Sequence, residues 1–334
     1  MKQVFIIAEI GVNHNGSLSK AYKLISEAKK AGANAVKFQS FIVEKFVTKF
    51  AKKADYQIDS TTLDKNQFNM LKKLEIDFEF QKKIFRFAKH KKIHFLSSPF
   101  DLDSIEFLSK LNLNIFKIPS GEITNIPYLK KIGKLKKKII LSTGCSEISE
   151  IKIAIDLLNK FGTPKKNITL LHCTSAYPAP LNQVNLNSMA FMKNKFNVNV
   201  GYSDHTIGFE VPIAAVASGA VIIEKHFTLN KNMGGPDHKV SLNPKEFKQM
   251  VVFIRNIEKT IGKYDKFISK SELKNMSKIR KSIYASRSIN KGDIFTSKNI
   301  TTKRPDIYIS ASKWDKVIGK IASRNYNLDE PINE

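Results

Sequence analysis

The sequence repeats one pattern eight times before about residue 262: a short apolar run followed by a longer amphipathic stretch. Continuous apolar runs are typical of strands that are buried on both faces of a parallel sheet, and apolar residues at helical spacing indicate the connecting helices. Eight strand–helix units in roughly 250 residues predict a (β/α)8 TIM barrel. The eight predicted strands are Val4–Ile10, Ala35–Gln39, Ile93–Ser97, Ile115–Ile118, Lys138–Ser142, Ile168–Cys173, Val198–Tyr202 and Val221–His226.

A doubly wound open sheet is the main alternative for alternating strands and helices. Such a sheet normally carries a glycine-rich phosphate loop after its first strand. Here residues 9–16 read EIGVNHNG, in which the two glycines have the wrong spacing and a polar cluster takes the place of the loop. The barrel is therefore favoured. The clearest predicted helices are Ser17–Ala31, Phe78–His90, Glu147–Phe161 and Pro244–Ile261.

The pattern changes after Ile261. Residues 263–279 are rich in lysine and serine and predict a linker, helical or irregular, after a first domain of residues 1–262. Residues 280–334 contain short strand-like pieces, Ser282–Ile289 and Ile300–Arg304, with a turn at 290–293 between them. A segment of about 55 residues has a marginal core by itself. We therefore expect a second, small domain that packs against something larger.

The formal net charge of +26 is unusual, because 56 Lys and Arg residues stand against 30 Asp and Glu residues. Such a charge raises the question of nucleic-acid binding. The lysines are spread over predicted helix faces, however, and no aromatic RNA-binding signature or recognition-helix pattern accompanies them. We therefore expect a solvated basic surface that attracts anionic substrates, and no nucleic-acid partner.

The sequence predicts neither a membrane-spanning nor a secreted protein. No segment approaches the roughly 20 apolar residues that a membrane span needs. The apolar run at residues 4–10 is interrupted by Glu9 and has no cleavage site after it. The two cysteines, Cys145 and Cys173, each stand at the end of an apolar run. We therefore expect a cytoplasmic protein with no membrane contact and with two buried, structural thiols.

Polar residues end all eight predicted strands. In a barrel the active site lies at the carboxyl ends of the strands. One polar strand end is ordinary, because such ends are exposed, but eight together predict a catalytic face. The candidate residues are Glu9, Lys37, Gln39, Ser98, Lys117, Ser120, Glu122, Ser142, Ser175, Tyr177, Ser203, His205, Glu224 and His226, with Asp237 shortly after the last strand.

Two lysines, Lys37 and Lys117, lie within predicted strands. A lysine is expensive to bury there unless an anion pairs with it. The two ammonium groups supply charge, and the hydroxyl groups of Ser98, Ser120 and Ser142 supply directional donors. This combination predicts a site for a phosphate and a carboxylate.

Three glutamates are candidates for general acid–base catalysis and for binding sugar hydroxyl groups: Glu9, Glu122 and Glu224. Glu122 follows Lys117 and Ser120 on the same strand end. We therefore expect Glu122 beside a bound phosphate ester, where a base is needed.

His205 and His226 end neighbouring predicted strands, so we expect both imidazoles to reach one metal ion. Nitrogen ligands with open positions for water and substrate suit Mn²⁺ or a similar divalent ion better than a closed zinc site. His90 and His94 fall on a helix end and on the opposite end of a strand, and we interpret both as structural.

These motifs resemble those of the bacterial sialic acid synthase family, which includes N-acetylneuraminate, legionaminate and pseudaminate synthases. The agreement runs almost from end to end in the order of the family's motifs, so it is more specific than any single string. The matching segments are AEIGVNHNG (8–16), VKFQ (36–39), FKIPSGE (116–122), STG (142–144), LHCTSAYPAP (171–180), GYSDHT (201–206), EKHFTL (224–229), GPDHK (235–239) and KRP (303–305).

The resemblance implies a (β/α)8 barrel followed by a small C-terminal antifreeze-like (SAF) β-rich domain. It also implies a domain-swapped homodimer, in which that domain caps the partner's barrel, and a divalent metal, Mn²⁺ or Mg²⁺, held by His205 and His226. The residues implied to bind phosphoenolpyruvate are Lys37, Ser98, Lys117, Ser120, Ser142 and Ser203. Those implied to contact the sugar are Glu9, Tyr177, Asp237 and Arg304, the last acting on the partner's barrel.

The implied reaction joins phosphoenolpyruvate to an N-acylated amino sugar. Carbon three of the enol ester attacks the aldehyde carbon, a water activated by Glu122 adds at carbon two, and the adduct releases phosphate. The segments favour the sialate and legionaminate branches over the pseudaminate branch and do not separate the first two. We take N-acetylmannosamine as the first acceptor, with 2,4-diacetamido-2,4,6-trideoxymannose as the alternative.

Two departures from the family pattern bear on the acceptor. Ser98 and Ser175 stand where many relatives have threonine or asparagine, and residues 306–309 replace a turn that commonly contains glycine. A non-catalytic carbohydrate or nucleic-acid binder is the alternative class. Retention of both histidines, both lysines and Glu122 disfavours it, because a binding module has no need of all five.

Overall fold

Eight parallel strands form one sheet in the computed structural model, which describes residues 3–58 and 66–334. Neighbouring strands follow the order 3-2-1-8-7-6-5-4, and the third lies beside the fourth, which closes the barrel. The predicted (β/α)8 barrel is confirmed, and no predicted strand end differs from the observed one by more than two residues. The strands are β1 (Phe5–Gly11), β2 (Ala35–Ser40), β3 (His94–Pro99), β4 (Ile115–Ile118), β5 (Lys138–Ser142), β6 (Ile168–His172), β7 (Asn199–Asp204) and β8 (Ile222–His226).

Capping side chains set where several barrel helices begin. Ser17 accepts a hydrogen bond from the Lys20 amide, and Asn243 accepts from the amide of Glu246, whose carboxylate in turn accepts from the Asn243 amide. Such caps satisfy amides that a helix start leaves without partners. The helices are α1 (Leu18–Lys30), α2 (Val43–Phe46), α3 (Asp55–Ile58), α4 (Gln67–Leu74), α5 (Phe78–His90), α6 (Leu102–Lys110), α7 (Ile126–Lys134), α8 (Ile148–Lys160), α9 (Asn187–Phe196), α10 (Glu210–Ala217) and α11 (Pro244–Thr260).

Side chains alternate between the inside of the barrel and the layer between strands and helices, as the pleat of a strand requires. Ile6 and Tyr202, for example, belong to the large cluster under the helices. Gly201 faces inward and has no room for a side chain, because a Cβ there would lie 2.4 Å from the Ile222 carbonyl oxygen. The apolar layer inside the barrel consists of Ile7, Ala35, Leu96, Ile140, Leu171 and Ile222, with Phe5 and Ile115 against it.

The connection between β2 and α5 is much longer than the others and carries α2, α3 and α4. Helices α2 and α4 are held by an apolar cluster of their own, in which Phe41, Val43, Leu71 and Leu74 are buried and Phe100 packs against them. The sequence patterns did not predict these helices. Their cluster places this connection at the carboxyl ends of β2 and β3.

The chain divides into two compact units, Met1–Gly262 and Lys263–Glu334. The second unit contains an antiparallel pair, β9 (Ser282–Ala285) and β10 (Ile300–Lys303), and two helices, α12 (Lys270–Ile279) and α13 (Trp314–Val317). The predicted strand-like piece Ser282–Ile289 is shorter than expected, since Ile289 forms only an isolated bridge to Tyr326. The core of this unit contains Ile283, Ala285, Ile289, Phe295, Ile300, Val317, Ala322, Tyr326 and Ile332.

Helix α12 differs from the other long helices because none of its residues is buried. Leu273 and Ile279 on this helix are exposed, as are Tyr264, Phe267 and Ile268 before it. Within residues 3–58 and 66–334, no helix is both long enough and apolar enough to cross a membrane.

Candidate active site

Seven strands, and the residue that directly follows β6, each contribute one side chain to a second inward layer, two residues beyond the apolar layer. Because alternate residues face the same side of a strand, this second layer continues the inner face toward the carboxyl ends. All its members line one cavity of about 260 Å³. They are Glu9, Lys37, Ser98, Lys117, Ser142, Cys173, Ser203 and Glu224.

The two lysines share one carboxylate at the centre of this layer. Glu224 Oε1 lies 3.4 Å from Lys117 Nζ and 3.6 Å from Lys37 Nζ, and it accepts a 3.0 Å hydrogen bond from Ser203. Lys37 Nζ also lies 2.7 Å from Glu9 Oε2. All five side chains are buried, so their charges interact with little screening by water.

Two hydroxyl groups complete the surroundings of the lysines. Lys37 donates to Ser98 Oγ at 3.2 Å, and Lys117 donates to Ser142 Oγ at 2.8 Å. The cavity therefore presents two ammonium groups with hydroxyl groups beside them, and their role in anion binding stays a prediction.

The two carboxylates beside the lysines have different proton affinities. Burial raises the pKa of Glu224, but Lys117 and Lys37 outweigh that effect and lower it to about 2. Burial raises the pKa of Glu9 well above its usual value, and the Glu224 charge adds to this effect although Lys37 opposes it. Burial lowers the pKa of Lys117. Glu224 is therefore ionised between the two lysines, and Glu9 is the carboxyl group of this layer that takes up a proton more readily.

His205 and His226 follow the second layer on β7 and β8, and both line the cavity. Their ring centroids are 5.6 Å apart. The Thr174 carbonyl oxygen lies 2.7 Å from His205 Nδ1; because a carbonyl can only accept, Nδ1 carries the proton and Nε2 keeps its lone pair. Burial lowers the pKa of His205 to about 4 and that of His226 well below its usual value.

This pair satisfies the chemical requirements of a divalent-metal site with open positions. A metal ligand must be a neutral imidazole, and a ligating histidine normally has its other ring nitrogen bonded to an acceptor such as a carbonyl. His226 Nδ1 is buried without a hydrogen-bond partner in the described part of the chain. In that same part, no third histidine, cysteine or carboxylate completes a closed metal-binding group. The residues therefore fit an ion that takes its remaining ligands from water or substrate.

The rim beside the histidines carries Gln39, Tyr177 and Asp237. The Tyr177 ring lies 4.1 Å from that of His205, centroid to centroid. Asp237 Oδ2 lies 3.9 Å from His226 Nδ1, and burial raises the pKa of Asp237 to about 6. A polar ligand that enters the cavity therefore meets an amide, a phenol and a carboxyl group near the histidines.

The loop after β8, which carries Asp237, is fastened to the loop after β1. Asn15 Nδ2 donates to the Gly234 carbonyl at 2.8 Å, and Asn15 Oδ1 lies 3.2 Å from His238 Nε2. His238 Nδ1 lies 2.7 Å from Thr228 Oγ1. Nε2 of His238 therefore donates to Asn15, and Nδ1 accepts from Thr228.

A second connection between these loops runs through Asn13. Its Nδ2 donates to the Phe227 carbonyl at 3.0 Å and to Ser241 Oγ at 2.9 Å, and Ser241 Oγ donates to the Asp237 carbonyl at 2.6 Å. The polar motif after the first strand thus holds the backbone of Asp237. We call the contacts of Asn13, Asn15, His238 and Ser241 the loop clamp.

Three predicted site residues are not on the cavity wall. Glu122 is buried just beyond Ser120 and Gly121, which do line the cavity. Its Oε2 accepts a 2.6 Å hydrogen bond from Asn125 Nδ2. Burial raises its pKa, the Asn125 hydrogen bond lowers it, and the charge of Asp101 raises it.

The other two are Ser175 and Arg304. Ser175 is exposed and lines a neighbouring cavity of about 500 Å³; its hydroxyl lies against Gly144, where a Cβ would be 2.2 Å from Ser175 Oγ. Arg304 belongs to the second unit and is exposed. Every other predicted site residue lines the central cavity.

The prediction of two buried thiols is half wrong. Cys173 is buried and lines the cavity, and burial raises the pKa of its thiol, which keeps it a poor nucleophile. Cys145 is exposed. It follows the end of β5 in the turn before α8, with φ of 52°, so it has already left the buried strand.

Among the residues of the cavity wall that were not predicted, four lie away from the strand ends: Phe46, Gln57, Gln67 and Leu71. All belong to the long connection between β2 and α5, and none ends a strand. The signal available in the sequence was length, because a connection within a barrel unit is usually about 2–6 residues and a much longer one is often functional.

Comparison with known proteins gives two matches along the chain. The model of the NeuB family matches residues 24–266, and the model of the SAF domain matches residues 280–334. An N,N'-diacetyllegionaminic acid synthase of Campylobacter jejuni is 54% identical over 334 residues, 100% of both chains. A pseudaminic acid synthase of the same species is 37% identical over 100% of this chain and 96% of its own.

A solved structure gives a related result. The N-acetylneuraminic acid synthetase of Leptospira borgpetersenii, solved in complex with citrate, is 34% identical and superimposes with a TM-score of 0.72. The alignment covers 82% of this chain and 90% of that one.

Proposed function

This chain belongs to the NeuB family, and we propose that it condenses phosphoenolpyruvate with 2,4-diacetamido-2,4,6-trideoxymannose to give N,N'-diacetyllegionaminate and phosphate. The observation that supports the reaction is the polar layer, in which two buried lysines with adjacent hydroxyl groups share the carboxylate of Glu224. A substrate that carries both a phosphate and a carboxylate offers one anionic group to each lysine.

The choice of acceptor is supported by sequence identity. Of the three proteins compared above, the legionaminic acid synthase shares 54% of its residues with this chain, the pseudaminic acid synthase 37% and the N-acetylneuraminic acid synthetase 34%. This ranking reverses the order of acceptors that the sequence motifs suggested. N-acetylmannosamine, with N-acetylneuraminate as the product, remains the second candidate. The N-acetylneuraminic acid synthetase of Leptospira borgpetersenii has the same fold as this chain.

In the proposed complex the lysines bind the two anionic ends of phosphoenolpyruvate. Lys37 with Ser98, and Lys117 with Ser142, hold the phosphate and the carboxylate so that carbon three faces the acceptor aldehyde. Ser120 and Ser203 add hydroxyl donors from the same wall. The charges of the two lysines also stabilise negative charge that accumulates as the reaction proceeds.

The bond changes balance without any further reactant except water. Carbon three of the enol ester forms a bond to the aldehyde carbon, whose oxygen becomes a hydroxyl group. Water adds at carbon two, and the adduct collapses to the keto acid by breaking the bond between carbon two and the phosphate oxygen. Glu122 is the proposed base for the water. Its Oε1 has no hydrogen bond within residues 3–58 and 66–334, and burial raises its pKa, which makes its ionised form a stronger base.

The histidine pair is proposed to hold Mn²⁺ or Mg²⁺. When bound, the ion supplies Lewis-acid polarisation of the aldehyde oxygen. Glu9, Gln39, Tyr177 and Asp237 stand on the wall around the histidines, where they are placed to bind the hydroxyl and acetamido groups of the sugar. Glu224 has a different proposed role, since it fixes both lysines through its Oε1.

We further propose that two copies of the chain form a domain-swapped homodimer in which Arg304 contacts the sugar in the partner's barrel. The second unit supports this because its linker and α12 expose five large apolar side chains, which is unusual for a surface that stays in water. They are Tyr264, Phe267, Ile268, Leu273 and Ile279.

The test of the proposed function is phosphate release from phosphoenolpyruvate with Mn²⁺, with each acceptor offered in parallel. We expect faster turnover with 2,4-diacetamido-2,4,6-trideoxymannose than with N-acetylmannosamine, and loss of turnover in EDTA. Faster turnover of N-acetylmannosamine would establish the second candidate. Absence of phosphate release with both sugars and either metal would contradict the proposed reaction.

A further inference from the structure

A buried ion pair stands directly before the two histidines. Asp204 is the last residue of β7 and precedes His205, and Lys225 precedes His226 on β8. The two are register partners in the parallel ladder between these strands. Their side chains are fully buried, and Lys225 Nζ lies 2.5 Å from Asp204 Oδ2.

This pair lies outside the cavity. Ser203 and His205, and likewise Glu224 and His226, line the cavity, whereas the residue between each two does not. Alternation along a strand therefore directs the ion pair into the layer between the strands and the outer helices. It takes no direct part in the proposed chemistry.

The contacts of the pair enclose the backbone on both sides of His205. Lys225 Nζ donates to the Thr206 carbonyl at 2.5 Å. The Thr206 amide donates to Asp204 Oδ1 at 3.0 Å, and the Thr206 hydroxyl donates to Asp204 Oδ2 at 3.1 Å. The Lys225 ammonium group thus contacts both Asp204, before His205, and Thr206, after it. Because Lys225 directly precedes His226, the same side chain links the backbone at the two histidines.

A buried ion pair is weak evidence for stability, because desolvation offsets much of its attraction and apolar replacements are often neutral. Conformational specificity is the better-supported reason to keep one, and the specific feature here is the spacing of two imidazoles on adjacent strands. We propose that Asp204 and Lys225 are positioning residues that fix the separation and direction of His205 and His226, and thereby the affinity of the site for a divalent cation. This inference rests on the proposed metal site.

The test is a direct measurement of metal binding by the full-length, metal-free protein. The variant D204N/K225M removes both charges, replaces each side chain by an uncharged one of similar volume, and leaves an acceptor for the Thr206 amide. We expect its Mn²⁺ dissociation constant, measured by electron paramagnetic resonance of free Mn²⁺, to rise roughly 10- to 100-fold, as found for outer partners of metal ligands. Its melting temperature should stay close to that of the unaltered protein, since no unpaired charge remains buried.

A matched control is R255Q/E258Q. This pair is partly buried, with Arg255 Nη1 2.7 Å from Glu258 Oε1, and it ties α11 to Val4 at the opposite end of the barrel. We expect the control to leave the Mn²⁺ dissociation constant unchanged. In D204N/K225M, excess Mn²⁺ should restore turnover while the KM for phosphoenolpyruvate stays unchanged, because the lysines that bind it are untouched.

The possible results separate this inference from the proposed function. If the unaltered protein binds Mn²⁺ and the dissociation constant of the double variant differs from it by less than about twofold, the positioning role is wrong and the metal site stands. If the unaltered protein binds no divalent cation, the proposed metal site and this inference both fail. If D204N/K225M is unfolded by circular dichroism, the single variant T206V, which keeps both charges and removes only the hydroxyl donor to Asp204 Oδ2, is measured in the same way. A Mn²⁺ dissociation constant within about twofold of the unaltered value would then contradict the positioning role.

Discussion

Asn125 makes two hydrogen bonds that have different consequences. Its Nδ2 donates to Glu122 Oε2 at 2.6 Å, and its Oδ1 accepts from the Tyr128 amide at 3.3 Å, which caps the start of α7. The first bond favours the ionised form of Glu122 and opposes the effects of burial and of Asp101. Without the Asn125 hydrogen bond, the pKa of the proposed base Glu122 would be higher.

The variant N125S tests this role, because serine keeps the helix cap and loses the amide donor. Glu122 must be ionised to act as a base, so activity rises as pH passes its pKa. Loss of the hydrogen bond raises that pKa, and we expect the acid limb of the kcat profile to move to higher pH. N125D, which places a like charge beside Glu122, should move it further. An unchanged acid limb in both variants would exclude Glu122 as the group that this limb reports.

His14 provides a pH effect on stability rather than on activity. It is buried between the rings of Phe38 and Phe80, and its Nδ1 accepts from the Gly16 amide at 3.0 Å. Burial lowers its pKa to about 4. The unfolded chain takes up a proton near the ordinary value of 6.5 and the folded chain does not, so stability falls as the pH drops between these values.

We expect His14 to lower the free energy of unfolding by about 2 kcal/mol at pH 5 relative to pH 8. The comparison is urea unfolding of the unaltered protein and of H14Q at both values of pH. The variant lacks the titrating ring, so the stability difference between the two proteins should shrink by that amount at pH 5. A constant difference would mean that His14 is protonated in the folded state.

Sequence reasoning found most of the cavity because the polar residues follow apolar strands. Lys37, Lys117 and His226 stand out against their apolar neighbours in the sequence. What it did not predict is how the residues pair: nothing in the sequence indicates that Glu224 joins both lysines. Such pairing depends on the closure of the barrel, which places residues far apart in sequence on opposite walls.

At the scale of elements, the regular parts of the barrel were predictable and the long connection after β2 was not. Strands and outer helices carry strong periodicity because each buries one defined face. Helices α2, α3 and α4 are short and begin and end within a few residues, so no periodic signal accumulates. They nevertheless supply the apolar part of the wall through Phe46 and Leu71.

The loop clamp shows how one element orders another. Asn13 and Asn15, which follow β1, hold the loop after β8 through its backbone and through His238. These hydrogen bonds hold Asp237 at the rim of the cavity even before a substrate binds. The polar residues after β1 therefore have a structural role in addition to any contact with substrate.

We expect N15A to raise the KM for the amino sugar by on the order of 10-fold, since two hydrogen bonds of about 1 kcal/mol each are lost. The KM for phosphoenolpyruvate should not change, because Lys37 and Lys117 lie on the strands and not on this loop. S19A, which alters an exposed hydroxyl on the adjoining α1, is the matched control. Equal increases in both KM values would indicate a general loss of structure.

At the scale of the whole molecule, the eightfold pattern predicted the barrel, since eight successive strand–helix units are typical of that fold and the glycine-rich loop of a doubly wound sheet is missing after the first strand. The second unit was harder to predict. Its two strands have four residues each, and much of its pairing consists of isolated bridges such as Tyr284 with Pro331. Bridges of this kind leave no periodic pattern in a sequence.

The proposed homodimer predicts complementation between two inactive variants. H226A lacks a proposed metal ligand but keeps Arg304, and R304A keeps both histidines. Mixed dimers of the two should contain one barrel with intact histidines and an intact arginine from the partner. Refolding an equal mixture should restore about a quarter of the activity, because half of the dimers are mixed and each has one competent site.

The controls are each variant alone, which should remain inactive while retaining the circular dichroism spectrum of the unaltered protein. Light scattering should give the mass of two chains in every sample. No recovery in the mixture, with mixed dimers demonstrated by differential tagging, would mean that Arg304 does not act across subunits.

The carboxylate that joins the two lysines has a consequence for selectivity. Glu224 is tethered within 3.4 Å of Lys117 Nζ and 3.6 Å of Lys37 Nζ, so it competes with incoming anions as an intramolecular ligand of high effective concentration. Chloride, acetate and other small ions carry one charge and gain little over this built-in competitor. A molecule that carries a phosphate and a carboxylate on one short frame would engage both ammonium groups at once, so we expect the barrel to select anions by the number of charged groups they carry.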